Sequence, residues 1–286
     1  MKKQYILASG GLLFVLFLFF IGKTISEQKT PAVSTEKKIE VFDIQSFIQT
    51  QKKLLSPTQV DFLTQIENKF NQGENTLKIE AYTQAANFWK DSIFSQEIYA
   101  YFISEASKLD NSEKKLTFAA QLFLSSLRGE QNLSKLEWES AEAISLFEKA
   151  IAINPENEDL KIGLASCYVY GKGRNGNPQE TMKGIQELLG VVRRDSTNMK
   201  AQLVLGVGGY VSGQYDKAIA RLTKVVAQEP NNLEAIAFLA DTYAALGNMD
   251  AAVKWYNISK RLANDAEYSK EIDERIKTLF QENRKN

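Results

Sequence analysis

Gly213-Gln214-Tyr215-Asp216-Lys217-Ala218-Ile219-Ala220-Arg221-Leu222-Thr223-Lys224-Val225-Val226-Ala227-Gln228-Glu229-Pro230 reads as a turn, an amphipathic helix and a stop. Gly213 suits a turn, and Ala218, Leu222 and Val225 share one helical face. Pro230 cannot continue the helix. The pattern returns 34 residues later, where Leu205, Gly206, Gly213, Ala218 and Leu222 map to Leu239, Ala240, Gly247, Ala252 and Tyr256. A fixed period of that length signals stacked helical hairpins.

Working upstream, Ala143 to Pro155 has the same phase, and Ser134-Lys135-Leu136-Glu137 reads as a capping box that opens its helix. Arg128 to Leu133 reads as a turn, and Leu116, Phe118, Ala119, Leu122, Phe123 and Leu124 belong to the helix before it. Residues 76–110 look like a degenerate pair. Leu77, Ile79, Tyr82, Ala85, Ala86 and Trp89 lie on one helix, and Ile98, Tyr101, Phe102, Ala106 and Leu109 on the next. Trp89 and the tyrosines read as core, with an aromatic binding surface as the alternative. Val41, Ile44, Phe47 and Ile48 form a further stripe, and Ser56-Pro57-Thr58-Gln59 is a capping box before Val60, Phe62, Leu63, Ile66 and Phe70. These two helices read as a leading hairpin over residues 39–75 that covers the open end of the array.

At the extreme N-terminus Lys2 and Lys3 precede an uncharged run, Tyr5 to Gly22. As a helix that run is about 27 Å long, enough for a bilayer's hydrocarbon core. A cleaved signal peptide, an anchor with the body exported, and the reverse orientation all stand. The poor small-residue pattern after the run and the two lysines before it favour an uncleaved single-pass anchor in the cytoplasmic membrane, with the body on the extracytoplasmic side. Residues 23–38 are a polar tether. At the other end Ile272, Ile276, Leu279 and Phe280 give one apolar face within 265–286, backed by charge, as a terminal cap requires.

The chain has 286 residues, with lysine plus arginine equal to aspartate plus glutamate at 35 each, so no global charge points to nucleic acid. It has no histidine and one cysteine, Cys167. That removes histidine acid–base chemistry, serine–histidine triads, histidine metal ligands and cysteine-rich zinc sites. Cys167 falls in an apolar helical pattern and reads as a small buried residue. Glu137 and Glu139 read as solvated charge on a helix surface. The residues offer no nucleophile with a base, no metal set and no phosphate loop, so no catalytic residue, cofactor or small-molecule substrate is expected.

The periodic segment resembles the tetratricopeptide-repeat family. Leu239, Ala240, Tyr243, Ala252, Tyr256 and Ser259 fit its signature, as do Leu205, Gly206, Ala218, Leu222, Val225 and Pro230 one repeat earlier. Leu164, Ala165, Tyr168, Gly184, Leu188 and Val191 supply a third copy, so the clear repeats run over 143–264 and weaker ones over 76–142. The organisation also resembles that of membrane-anchored bacterial repeat proteins. The resemblance implies an all-α solenoid that binds a protein or peptide in a concave groove. The family's groove positions fall here on Asp159, Ile162, Ser166, Val169 and Tyr170, on Lys200, Leu203, Val207, Tyr210 and Val211, and on Glu234, Ala237 and Asp241 with Ala244 and Ala245. The alternative is an assembly subunit of an envelope complex, working through the convex face or the leading hairpins.

Two departures from the pattern matter. Ala165 and Gly184 are 19 residues apart where the other repeats have 12, so seven residues, Gly171 to Asn177, are inserted. Asn177-Pro178-Gln179-Glu180 reads as a capping box after the insertion. The insertion reads as a solvated loop at the edge of the binding surface, and phosphate binding at the following helix start is the weaker alternative. Gly206, Gly208 and Gly209 inside one helix imply either close approach of a neighbouring helix or a groove floor.

Overall fold

The computed structural model describes residues 41–283. The expected anchor at 5–22 and the tether at 23–38 lie outside the described residues. Among the described residues there are thirteen α-helices and no strand, and no helix is long and apolar enough to cross a membrane.

Two short helices lead, α1 (Ile44–Lys52) and α2 (Pro57–Glu67). Five hairpins follow: α3 (Asn75–Asp91) with α4 (Gln96–Asp110), α5 (Glu113–Leu127) with α6 (Leu133–Ile153), α7 (Glu158–Tyr170) with α8 (Pro178–Arg194), α9 (Met199–Val211) with α10 (Tyr215–Gln228), and α11 (Leu233–Ala245) with α12 (Met249–Ala263). The last helix, α13 (Ala266–Asn283), packs on α12. The first helices of successive hairpins, α5, α7, α9 and α11, touch one another in turn and form one continuous layer.

The helix starts are written in the sequence. Asn157, Asn198 and Asn232 cap α7, α9 and α11, each side-chain oxygen accepting from a first-turn backbone N–H at about 3 Å. Each such cap stabilises by about 1 kcal/mol relative to alanine. Ser56 completes its capping box, accepting from Gln59 N at 3.3 Å while its own N–H donates to Gln59 Oε1 at 2.9 Å. At two other starts the expected box gives way. Asn132, not Ser134, caps α6, because its side-chain Oδ1 accepts from Ser134 N and Lys135 N. At Asn177 only half of the box forms, since Glu180 pairs with Lys183 instead of reaching back. Gly213 and Gly247 end their helices at φ 74° and 82°, a conformation that costs a side chain its sterics.

The α1 and α2 helices do not rest mainly on each other. The first lies on α4, where Gln45 Nε2 donates to Tyr101 Oη at 2.8 Å, and the second lies on α3. A Lys52–Glu67 ion pair at 2.6 Å ties them together. Trp89 is fully buried among Ile48, Leu63, Ala85 and Ile98, so it is core. Phe70 stacks on Tyr82 at 4.3 Å beside it.

Through the repeats, Ala218, Leu222, Val225, Ala252 and Tyr256 are buried as their spacing demands. Small residues let the paired helices approach. A Cβ on Gly206 would lie 2.7 Å from the Leu222 side chain, and one on Gly209 would lie 3.2 Å from the Ala218 backbone. One on Gly208 would lie 3.1 Å from Ile185. The glycine run in α9 therefore serves packing against α8 and α10. Cys167 is fully buried, and its Sγ–H faces Gly163 O at 3.3 Å. Burial pushes its thiol far up, so it is an inert apolar residue.

The insertion is not a solvated loop. Its residues Lys172–Asn175 form a 3₁₀ turn, with Gly171 and Gly173 buried. Arg174 donates to Leu127 O at 2.6 Å and Glu130 O at 3.0 Å, and Lys172 pairs with Glu137. A Cβ on Gly171 would lie 2.0 Å from Ser140 Oγ, so only glycine allows this contact. Arg174 is thereby committed to the α5–α6 turn and Lys172 to α6, which removes the basis for a phosphate site.

Candidate functional site: an inner groove with two cavities

Two adjoining cavities open along the layer made by α5, α7, α9 and α11. The first, about 440 Å³, is lined by Asp159, Ile162, Ser166, Lys200 and Leu203 together with Gln121, Leu124, Arg128, Gly163 and Val204. The second, about 550 Å³, is lined by Tyr170, Val207, Tyr210, Glu234 and Asp241 with Val169, Val211, Ala237, Phe238, Arg128, Arg174, Tyr268 and Arg275. Of the fifteen groove positions implied by the register, thirteen line one of the two cavities, five the first and eight the second. Ala244 and Ala245 line neither.

The groove residues differ in what they offer. Asp159 and Lys200 are exposed and pair with each other at 3.1 Å, a weak surface contact. Ile162, Ser166, Leu203 and Val207 are buried and form the floor. The Ser166 hydroxyl donates to Ile162 O at 2.7 Å within its own helix. Tyr210 is half-buried and meets Phe238 edge-on at 5.7 Å. With Val211, Ala237 and Val169 these rings make the second cavity largely apolar, with charge at its rim.

Tyr170 has a different part from the one its register implies. It is 2 % exposed, and its hydroxyl donates to Glu234 Oε1 at 2.6 Å. Arg128 donates to the same oxygen at 2.9 Å, with its guanidinium 4.6 Å from the Tyr170 ring centre. Burial, and then the Glu234 carboxylate, push the Tyr170 phenol well above its ordinary pKa, so it stays a neutral donor. Tyr170 is thus a strut of the groove wall more than a contact residue. A second strut lies further along, where Asp241 Oδ1 accepts from Tyr256 at 2.5 Å and from Arg275 at 2.9 Å.

Sequence reasoning missed Arg128, Tyr268 and Arg275. Arg128 sits in the α5–α6 turn, outside any repeat position, and Arg275 reads as one of the solvated charges of α13. Only Arg174 carried a signal, as the basic residue of an insertion expected at the groove's edge. Glu139 is a further correction. It is 2 % exposed, not solvated, because it lies in phase with the buried Leu136, Ala143 and Leu146 of α6, and it lines a cavity with the start of α4 and the α5–α6 turn. Among the described residues no three histidine, cysteine or carboxylate side chains converge on a metal geometry.

Residues 212–270 match the tetratricopeptide repeat family. No curated protein matches the chain in sequence. Among solved structures, a thermophilic tetratricopeptide-repeat protein of Thermus thermophilus is similar in fold, with a TM-score of 0.52 at 16% identity. That match covers 71% of this chain and 99% of the other. YrrB, a tetratricopeptide-repeat protein with an unusual peptide-binding site, aligns at 20% identity and TM-score 0.42, covering 71% of this chain and 98% of its own. PilW, a type IV pilus biogenesis factor, aligns at 18% identity and TM-score 0.46, covering 71% and 94%.

Proposed function

We propose a function for what is a tetratricopeptide-repeat protein: a non-enzymatic scaffold, held at a membrane by residues 5–22, that binds a protein or peptide partner along the inner layer of its hairpins. The observation that carries this reading is that thirteen register-derived residues line two adjoining cavities. An extended or helical peptide places side chains at a spacing that such a pair of pockets can receive. The second pocket, with Tyr210, Phe238, Val207 and Val211, suits an apolar or aromatic side chain. The exposed Asp159 and Lys200 at the mouth of the first set orientation and register more than affinity.

The test is crosslinked capture of partners by the full-length protein from its own membranes, with wild type beside a Tyr210→Ala, Ala237→Arg variant. Both changes lie in the second cavity and leave the Arg128–Glu234–Tyr170 strut intact. A partner captured by wild type and lost by the variant supports groove binding. Partners retained by the variant move the binding surface to the outer helices or to α1 and α2. Retention in the membrane pellet after carbonate washing, lost on removal of residues 1–22, tests the anchor.

A further inference from the structure

A third cavity, about 470 Å³, lies away from the groove between the start of α4 and the α5–α6 turn. Its lining is polar: Gln96 and Glu97 from α4, Ser125 and Ser126 from α5, Glu130 and Gln131 from the turn, and Glu139 from α6. Glu139 is only 2 % exposed and its Oε2 has no hydrogen-bond partner. A carboxylate left in that condition is costly, and one that lines a cavity is poised for a donor that enters it.

The charges around it are unbalanced. Glu97 from α4 and Glu130 from the turn share one cation, Lys135, which lies on the same helix as Glu139. The other nearby cations are committed elsewhere, since Arg174 ends on backbone oxygens of Leu127 and Glu130 and Lys172 pairs with Glu137. A metal ion does not fit, because the carboxylates do not converge on one point. The Ser125 hydroxyl donates to Leu122 O at 2.7 Å and accepts from Gln96 Nε2 at 3.4 Å, so what it offers a ligand is its second lone pair. Acceptors spread around a roomy pocket match a group with several N–H donors and a positive charge.

We propose that this cavity is a binding site for a primary ammonium group, with Glu139 as its counter-ion and Glu130 and Ser125 as further acceptors. The ammonium belongs either to a small polyamine or to a lysine side chain of another protein. Burial first, and Glu130 and Glu97 next, raise the Glu139 carboxyl to about 8, with Lys135 opposing. Binding at neutral pH therefore converts a carboxylic acid and an ammonium ion into a carboxylate–ammonium pair and releases one proton to solvent. Below the Glu139 pKa the affinity rises about tenfold per pH unit and levels off above it, while the ammonium, with a pKa near 10.4, stays charged.

The test is calorimetric titration of the full-length protein with spermidine and with Nα-acetyl-lysine amide, using the uncharged N-acetyl-norleucine amide as control. At pH 7, two buffers of different ionisation enthalpy report the released proton. Saturable binding of either amine, release of close to one proton, and a loss of affinity of tenfold or more in Glu139→Gln support the proposal. Glutamine imitates the protonated acid without its pH-dependent cost, so the variant is expected to fold and, at pH 7, to melt no lower than wild type. Should it fail to fold, the wild-type affinity profile from pH 6 to pH 9 decides, and a flat profile overturns the proposal. Binding by spermidine alone assigns the site to small polyamines, and binding by the lysine derivative assigns it to a protein partner. No saturable binding of either amine, or undiminished binding by Glu139→Gln, also overturns it.

Discussion

Arg128 Nε lies 2.9 Å from Glu234 Oε1, so the end of α5 is tied to the start of α11 across 106 residues of sequence. Tyr170 donates to that same oxygen from a position 2 % exposed. Glu234→Ala leaves the Tyr170 hydroxyl buried without an acceptor, which costs about 1–3 kcal/mol. Lys200→Ala breaks a pair whose side chains are 74% and 70% exposed, and its effect is expected to be near zero. Urea denaturation of the two variants against wild type checks the order. Equal midpoints would show that the strut adds nothing.

Helix packing predicts a contrast between two glycines. A Cβ on Gly163 would lie 2.4 Å from Cζ of the fully buried Phe147, so Gly163→Ala forces the α6–α7 contact apart. Overpacking of this kind destabilises by about 1–3 kcal/mol. Gly190 has only Arg194 Nη1 within reach, at 3.8 Å. Gly190→Ala gains helix propensity and stabilises by up to about 1 kcal/mol. Thermal melts of both variants should shift in opposite directions.

The insertion is predicted to depend on Arg174. Arg174→Ala leaves the carbonyls of Leu127 and Glu130 without their side-chain donor. The 3₁₀ turn loses its tie to α5, and amide exchange across residues 171–177 should quicken by an order of magnitude or more, since about 1.4 kcal/mol of lost local stability is tenfold in opening. Exchange followed by mass spectrometry checks this. Unchanged protection would mean that the Gly171–Ser140 contact alone holds the loop.

Glu139 makes a prediction about stability as well as binding. Its carboxyl is raised from the ordinary 4.5 to about 8, so across that window the native state holds a proton that the unfolded chain has released. Stability conferred below pH 4.5 is therefore lost as pH rises, by at most about 1.4 kcal/mol per unit, until the folded group itself ionises. Glu139→Gln should flatten that fall between pH 5 and pH 8. Denaturation midpoints at unit pH intervals measure it, and parallel curves for the two proteins would refute the burial account.

The hairpins were legible because each depends on residues that recur in register. Small residues such as Gly206 and Ala218 mark where two helices meet, and Leu222 marks what fills the gap. Asparagines at 157, 198 and 232 mark where the inner helices begin. The groove positions were placed by the same register, and thirteen of the fifteen line the two cavities. What the register cannot express is contact set by the stacking of hairpins. Arg128 meets Glu234 only because α5, α7, α9 and α11 form one layer, and nothing local marks that meeting. Glu139 has the helical phase of the buried Leu136, Ala143 and Leu146, and only its charge makes it read as a surface residue. The insertion misled for a similar reason, since Gly171 and Gly173 look flexible until Ser140 and Thr181 are seen against them.

The most direct measurement is position-specific photocrosslinking in the native membrane. A photoreactive side chain at Ala237, inside the second cavity, is compared with one at Met182, which is 40% exposed on α8 and lines neither groove cavity. Groove recognition predicts a discrete protein adduct from position 237 that disappears when Tyr210→Ala is added, and none from position 182. An adduct from position 182 with none from 237 would contradict the groove as the partner's seat.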